Sequence, residues 1–443
     1  MVWTGAMLMR PGTKGQDQAA AIAWPASLDK ALPLVLTARG QDTVLTRTNG
    51  ALRVARPGTN ATRRADEAKV QALLDFITSH KPKRDLGAYT PDQAETYGLK
   101  APRIRLTAGL TAGLTAGDTT GDAGFDLTLG GTNPAGDGVY AVSSQAKDTL
   151  LLLDAGYKTQ LDHGPDYFLD LRLFDFKEEA VTAVRLAPGK EPLPGMDAAG
   201  FVLERTKEAV AFAAPEAAKS LKVSSQAVKA WLRGLAGAKA SAVEPVALPV
   251  SGPVLTLELA VKDQPAQTLT VYKDLKRPRT WVANSTFQPG RLRLEEEGLR
   301  QLAPRVFELR DRGIITLETA KVDGFAILQS DRSLAAKKTE TGWKDAQTGK
   351  DITGIDMTLW RLIDLKFETD PTGDLPKTAE SDMVWRLTDK GGKDLAEITF
   401  FSDPALPPGR CWVKTGNQDL YFQVSDQILK DLQGLLPAQG SAK

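Results

Sequence analysis

Apolar residues at Val70, Leu73, Leu74 and Ile77 fall at i, i+3, i+4 and i+7 along the otherwise polar stretch Ala65 to Lys81, the stripe of an amphipathic helix. Ser224 to Ala238 repeats it as Val228, Trp231, Leu232 and Leu235. A third stripe reads Leu359, Leu362 and Ile363, with Leu365 or Phe367 serving where Lys366 replaces the next apolar residue. After each helix the period changes to two. Asp126–Leu129, Leu269–Tyr272 and Ile398–Phe401 alternate, followed by a second strand with an aromatic (Tyr140, Trp281, Trp412) and a third at Leu150–Leu153, Leu292–Leu294 and Leu420–Phe422. Each series closes on a short helix anchored by Leu161, Leu302 or Leu432, at the same distance from its aromatic to within one residue. Spacing kept across such different residues marks an internal repeat.

Before each long helix a polar turn joins two strands: Val44–Thr46 and Leu52–Ala55 around Thr48-Asn49-Gly50, Phe201–Glu204 and Val210–Phe212 around Thr206-Lys207-Glu208, and Phe325–Leu328 and Leu334–Lys337 around Ser330-Asp331-Arg332. Asn-Gly supplies the positive φ angles of a tight hairpin. A further strand opens each copy, at Leu34–Thr37, Val181–Leu186 and Ile314–Leu317. The order β-β-β-α-β-β-β-α predicts an α+β fold of three tandem repeats, each an antiparallel sheet with helices packed on one face. The copies span 31–176, 177–313 and 314–437, with 1–30 read as a leader or shortened anchor and 438–443 as a tail. No Gly/Ser-rich linker separates them, so stiff head-to-tail docking into a curved rod is expected. Leu-Thr-Ala-Gly three times in tandem within Leu106–Gly117 reads as an expanded hairpin loop.

Composition narrows the function classes. A chain of 443 residues fits about three ordinary domains. Lys and Arg total 56 against 55 Asp and Glu, which as an overall balance gives no electrostatic reason to expect nucleic acid or an anionic membrane surface as partner. One cysteine, Cys411, excludes an intramolecular disulfide and a multi-cysteine zinc site, and two histidines, His80 and His163, leave little for imidazole chemistry. No apolar run approaches the roughly 20 residues that span a bilayer.

Candidate motifs then read as structural. Ser144-Gln145-Ala146-Lys147 and Lys414-Thr415-Gly416 match two motifs of penicillin-recognising serine enzymes. Both, however, fall in strand-to-strand turns, whereas that serine must open a helix. Gly130, Gly131, Gly136 and Gly138 lack the Gly-Lys-Ser/Thr of a phosphate loop and suit a hairpin. Glu295-Glu296-Glu297 suits a solvated helix start. His80 and His163 take positions at helix ends, Trp231, Trp281, Trp360 and Trp412 take core positions, and Cys411 is a buried thiol. No catalytic, cofactor or metal residue is assigned. The basic turn Lys273, Lys276, Arg277 and Arg279 is the binding candidate, suited to a phosphate or lipid head group.

Thr37 to Val184 resembles a family of bacterial proteins catalogued as domain of unknown function 4340. The resemblance rests on Arg47-Thr48-Asn49-Gly50 through Pro57, the helix around Val70–Ile77, Tyr97-Gly98-Leu99-Lys100-Ala101-Pro102, Leu129-Gly130-Gly131 and Gly138-Val139-Tyr140. It implies an envelope protein on the periplasmic face of the inner membrane, tethered by an N-terminal helix that this chain lacks. It also implies an association with an ABC transporter of the gliding-motility type, with its permease and auxiliary membrane proteins as partners and no enzyme activity or cofactor. The expectation is a non-enzymatic extracytoplasmic auxiliary or scaffold subunit. Two other readings stay open: a carrier of an envelope polymer or lipid, which needs a continuous groove, and a hydrolase of unrecognised type, which needs one pocket that breaks the repeat.

Overall fold

The first long helix, α1 (Glu67–Ser79), starts where the Asp66 carboxylate accepts the Lys69 amide at 3.3 Å and stops at His80. Its stripe, Val70, Leu73, Leu74 and Ile77, is buried as the spacing predicts. The computed structural model describes residues 22, 24–28, 32–55, 62–109, 124–206, 209–244, 249–330, 332–416 and 418–437. Most of the expected leader, Pro57, the Leu-Thr-Ala-Gly tract beyond Gly109, the turn residues Lys207, Glu208 and Asp331, and the tail lie outside the described residues. The chain forms two compact units, Met1–Ala209 with Lys229–Pro304, and Val210–Val228 with Arg305–Lys443.

In the first unit a nine-stranded sheet contains β1 (Leu34–Ala38), β2 (Gln41–Thr48), β3 (Ala51–Ala55), β4 (Thr62–Arg64), β5 (Arg84–Ala88), β6 (Ile104–Ala108), β7 (Phe125–Thr132), β8 (Gly138–Ser143) and β9 (Ala146–Asp154). The order is β4-β3-β2-β1-β6-β7-β8-β9-β5 and every pairing is antiparallel. Asn49 (φ 51°) and Gly50 (φ 80°) make the tight β2–β3 turn. The core joins the α1 stripe to alternate strand residues such as Leu34, Leu36, Leu106 and Leu127, and to Tyr157 and Leu161 of α2 (Gly156–Leu161).

A second antiparallel sheet of the first unit is built from β10 (Val181–Pro188), β11 (Phe201–Arg205), β13 (Ala242–Glu244), β14 (Val250–Val261), β15 (Gln267–Asp274), β16 (Thr280–Ser285) and β17 (Arg291–Glu295), while β12 (Val210–Ala214) belongs to the second unit. Within the first unit its order is β11-β10-β14-β15-β16-β17-β13. The helix α3 (Ser225–Gly237) buries Val228, Trp231, Leu232 and Leu235, and α4 (Glu296–Leu302) buries Leu299 and Leu302.

In the second unit, after the single turn α5 (Val306–Leu309), a third antiparallel sheet contains β18 (Gly324–Gln329), β19 (Arg332–Thr339), β20 (Gly342–Asp345), β21 (Asp351–Ile352), β22 (Glu380–Thr388), β23 (Asp394–Ser402), β24 (Arg410–Thr415) and β25 (Tyr421–Ser425), in the order β21-β20-β19-β18-β22-β23-β24-β25. The helices α6 (Ile355–Ile363) and α7 (Gln427–Leu435) cover its core, in which Phe325, Trp385, Phe400 and Leu432 are buried. A strap of chain lies along β25. Glu368 donates its amide to Gln423 O, and Thr372 exchanges both backbone bonds with Tyr421. Three mainly antiparallel sheets with seven described helices make the class α+β.

Four sequence expectations differ from the structure. Ile314–Leu317 is not a strand; Gly313 bridges Lys366, Ile314 is buried, and the sheet opens instead at β18, so β20 supplies a third strand before the helix. The order β-β-β-α-β-β-β-α lacks β6, β14 and β22, each between the first strand and the next hairpin, and also the short edge strands β4, β5, β13 and β21. The inward stripe of α6 is Ile355, Thr358, Leu359 and Leu362, one turn earlier than predicted; the helix ends at Ile363 and Phe367 fills the core from beyond it. Finally, Trp24 and Leu28, placed in the leader, are buried in the first core. No described helix is long and apolar enough to cross a membrane.

Candidate interaction surface

Of the motifs that invited a catalytic reading, Ser144 lies in the β8–β9 turn as expected, whereas Lys414, expected in a turn, lies within β24 and pairs there with Tyr421 of β25. Ser144 accepts the Asp126 amide at 2.9 Å and donates to Gly124 O at 3.1 Å, closing the β8–β9 turn onto β7. It belongs to the first compact unit, and Lys414 belongs to the second. There Lys414 pairs with Asp419 at 3.6 Å and lies over the Tyr421 ring. In the glycine group, Gly138 donates its amide to Asn133 Oδ1 and Gly131 to Tyr97 O, so both amides are engaged by the protein itself. Glu295 accepts from Ser241 Oγ at 2.9 Å, and Glu296 and Glu297 occupy the exposed first turn of α4. Among the described residues no group of three His, Cys, Asp or Glu side chains comes together to hold a metal.

His80 caps α1, its Nδ1 3.0 Å from Phe76 O and its ring stacked on Phe76. His163 stacks on Tyr167, and burial, then the Arg39 charge, push it below the usual imidazole value. Burial likewise pushes the Cys411 thiol up to about 12, helped by Asp426 and Asp382, which leaves it protonated at neutral pH. Trp231 is buried with Nε1 donating to Gln301 O at 3.1 Å, whereas Trp281 and Trp412 are half-buried and Trp412 donates to Asp403. Trp360 departs from its expected core position, exposing 58% of its surface. It shares the outward side of α6 with Met357 and Ile363, opposite the buried stripe Ile355, Thr358, Leu359 and Leu362.

The basic turn divides into two parts. Arg277 is committed, its Nε 2.6 Å from Asp274 Oδ2 and Nη2 2.7 Å from Glu244 Oε1, which also receives Arg293 Nε at 2.6 Å. Burial alone would raise the two carboxyls. For Glu244 the bonds from Arg293 and Arg277, and for Asp274 those from the Lys276 amide and Arg277, outweigh it and hold both below their ordinary values. Depressed carboxyls contribute stability above their unfolded values, and that contribution is lost as pH falls through the folded ones. Urea unfolding is therefore expected to show stability falling as pH drops below the ordinary Glu value of 4.5, with a shallower fall in Glu244→Gln. Parallel pH profiles for the two proteins would remove Glu244 from the cause. Lys273, Lys276 and Arg279 remain exposed.

The clefts among the described residues include two of similar size. One of about 250 Å³ lies at the start of α1 and is lined by Arg64, Asp66, Glu67, Asp170, Arg172 and Lys239. Part of its charge is spent, Arg172 holding Asp170 at 2.7 Å and, outside the lining, Asp175 at 3.1 Å. Both Arg64 and Arg172 also lie over the Phe287 ring. The other, about 260 Å³, is bounded by Trp360, Arg361, Leu365, Glu368, Gln427 and Ile428. Beside it the outward side of α6 carries Met357, Trp360 and Ile363, all exposed at i, i+3 and i+6. Arg361 is fixed by an ion pair with Asp431 of α7, which ties the helix presenting these residues to α7. Three large apolar side chains thus lie together on one exposed helical face.

The motifs behind the family resemblance converge. Gly131 N donates to Tyr97 O at 2.7 Å, the Tyr97 and Tyr140 rings meet edge to face at 4.8 Å, and a Cβ on Gly130 would stand 2.2 Å from Tyr97 O and 3.0 Å from Leu99 Cγ. The turn Tyr97–Leu99 thus lies directly on the backbone of β7, a contact only glycine permits. Residues 59–253 match the family described as domain of unknown function (DUF4340). The DUF4340 match starts before β4 and ends inside β14, so it takes in α1, the Tyr97–Gly130 contact and the start of the second sheet. No curated protein matches the chain.

Proposed function

We propose that the protein is a non-enzymatic extracytoplasmic scaffold, an auxiliary subunit of an ABC transporter assembly. In this reading it is built from three tandem copies of one α+β unit and holds a membrane-protein partner through the outward face of α6. The observation that carries the scaffold reading is the exposed Met357–Trp360–Ile363 face on a helix whose opposite side is fully engaged in the core. The repeat is supported by a shared six-strand ladder: β2-β1-β6-β7-β8-β9, β11-β10-β14-β15-β16-β17 and β19-β18-β22-β23-β24-β25. Stacked copies offer long surfaces suited to holding a protein. The transporter and the periplasmic side of the inner membrane come from the resemblance of residues 37–184.

The test is mild-detergent capture of the chromosomally tagged, full-length protein from native membranes, alongside Trp360→Ser. Recovery of a permease and its ATPase in reproducible ratio is expected for the parent. A buried interface tryptophan is worth about 2 kcal/mol or more, so Trp360→Ser should weaken retention about 30-fold while leaving the fold intact. Absence of transporter subunits from the parent would sink the assignment, and equal recovery with the variant would move the contact off α6.

A further inference from the structure

Lys273–Arg279 contains four cations and one acid, Asp274. Asp274 is spent inside the turn, accepting the Lys276 and Arg277 amides and the Arg277 guanidinium, with its side chain fully buried. Arg277 and Arg293 on one side, Asp274 and Glu244 on the other, cancel as a closed network. Three positive charges are left over, on Lys273, Lys276 and Arg279, all exposed and none in an ion pair with the described residues. Among them Leu275 exposes 62% of its surface while its amide is anchored to Pro249 O at 3.2 Å. Arg279 sits at φ 60°, closing the turn in a fixed shape. The β15–β16 turn is therefore a braced tip that presents one aliphatic side chain among three uncompensated cations.

We infer that this tip docks on a membrane surface bearing anionic lipid head groups, with Lys273, Lys276 and Arg279 against the phosphates and Leu275 entering the interface. A soluble polyanion would use the charges and leave Leu275 in water. A bilayer uses both, since its surface is negative and its boundary region is apolar. Each cation near such a surface raises partitioning about fivefold, and burying a leucine adds about tenfold. Contact of this size is reversible, which suits an element that orients a protein more than it anchors one. The inference is separate from the α6 reading, because it uses none of Met357, Trp360 or Ile363.

The test is co-sedimentation of the purified full-length protein with phosphatidylcholine vesicles and with vesicles containing phosphatidylglycerol, at low and raised salt. Binding to the phosphatidylglycerol vesicles, weakened by salt, is expected. Lys273→Gln with Lys276→Gln should lower it about 25-fold, and Leu275→Ser about tenfold with the salt dependence retained. Trp360→Ser should bind as the parent does. Equal binding to both vesicle types, an undiminished double variant, or displacement by inorganic phosphate would overturn the inference. So would full binding by Leu275→Ser, which would mean a contact with charge alone.

Discussion

Alanine at Gly130 is expected to destabilise the first unit by about 3 kcal/mol or more, beyond the usual cost of an extra methyl in a packed site. Its Cβ would meet a backbone carbonyl, Tyr97 O, at 2.2 Å, and a carbonyl cannot rotate aside as a side chain would. Relief requires lifting the Tyr97–Leu99 turn off β7, which breaks the Gly131–Tyr97 hydrogen bond and the Tyr97–Tyr140 ring contact. Gly136 provides the comparison. It has φ 76° but nothing within 4 Å of its Cβ position, so alanine there should cost only about 1–2 kcal/mol of backbone strain. Urea unfolding, with hydrogen exchange of β7 and β8, checks both; equal midpoints for the two variants would mean that the close approach does not hold the turn.

Trp24→Ala should cost about 3–5 kcal/mol, the usual loss for a large aromatic removed from a core. The Trp24 indole stands edge-on to Phe125 at 5.4 Å and to Tyr157 at 6.4 Å, and its Nε1 donates to Ile77 O at 2.7 Å. Tyr157 reaches the same end of α1, its single hydroxyl hydrogen shared between Ile77 O and His80 O. Together the two side chains satisfy carbonyls at a helix end that would otherwise be buried without partners. Trp24→Phe should lose the hydrogen bond while keeping most of the packing, about 1 kcal/mol. Thermal unfolding of the two variants decides the matter. If Trp24→Ala melts with the parent, the segment 24–28 is an appendage and not part of the core.

The helix stripes and the Leu anchors were legible in the sequence, because each is a local pattern. Val70–Ile77, Val228–Leu235, Asn49-Gly50 and the anchors Leu161, Leu302 and Leu432 all stand where spacing placed them. Strand β6 was hidden because Leu106-Thr107-Ala108-Gly109 also reads as the first copy of a low-complexity tract. Strand β14 was obscured by Gly252 and Pro253, where the ladder shifts register. For β22 the signal was present, in the alternation of Met383, Trp385 and Leu387. Trp24 follows a stretch of alanines and polar residues, so nothing local marks it as a core residue.

The candidate sites were less legible, for a physical reason. Lys273, Lys276, Arg277 and Arg279 look equivalent in sequence. Only the fold brings Glu244 to Arg277 and so commits its charge to an ion-pair network shared with Arg293. The α6 face was missed because a helix with apolar residues on two sides, Ile355–Leu359–Leu362 and Met357–Trp360–Ile363, does not reveal which side the sheet will take. Phe367, beyond the helix end, settles it by filling the core where a further turn would have been needed.

The strap along β25 has a bearing on how the protein meets copies of itself. The first two sheets finish in an extra strand, β5 beside β9 and β13 beside β17, whereas β25 ends the third. Its free row of amides and carbonyls is the kind of edge on which another chain can extend a sheet without limit. Three backbone hydrogen bonds, from Glu368 to Gln423 and between Thr372 and Tyr421, occupy that row. Pro371, lacking an amide hydrogen, keeps the strap from becoming a regular strand that would merely pass the vacancy outward. A short irregular segment thereby acts as a chain terminator, protecting the second unit against fibre-like growth.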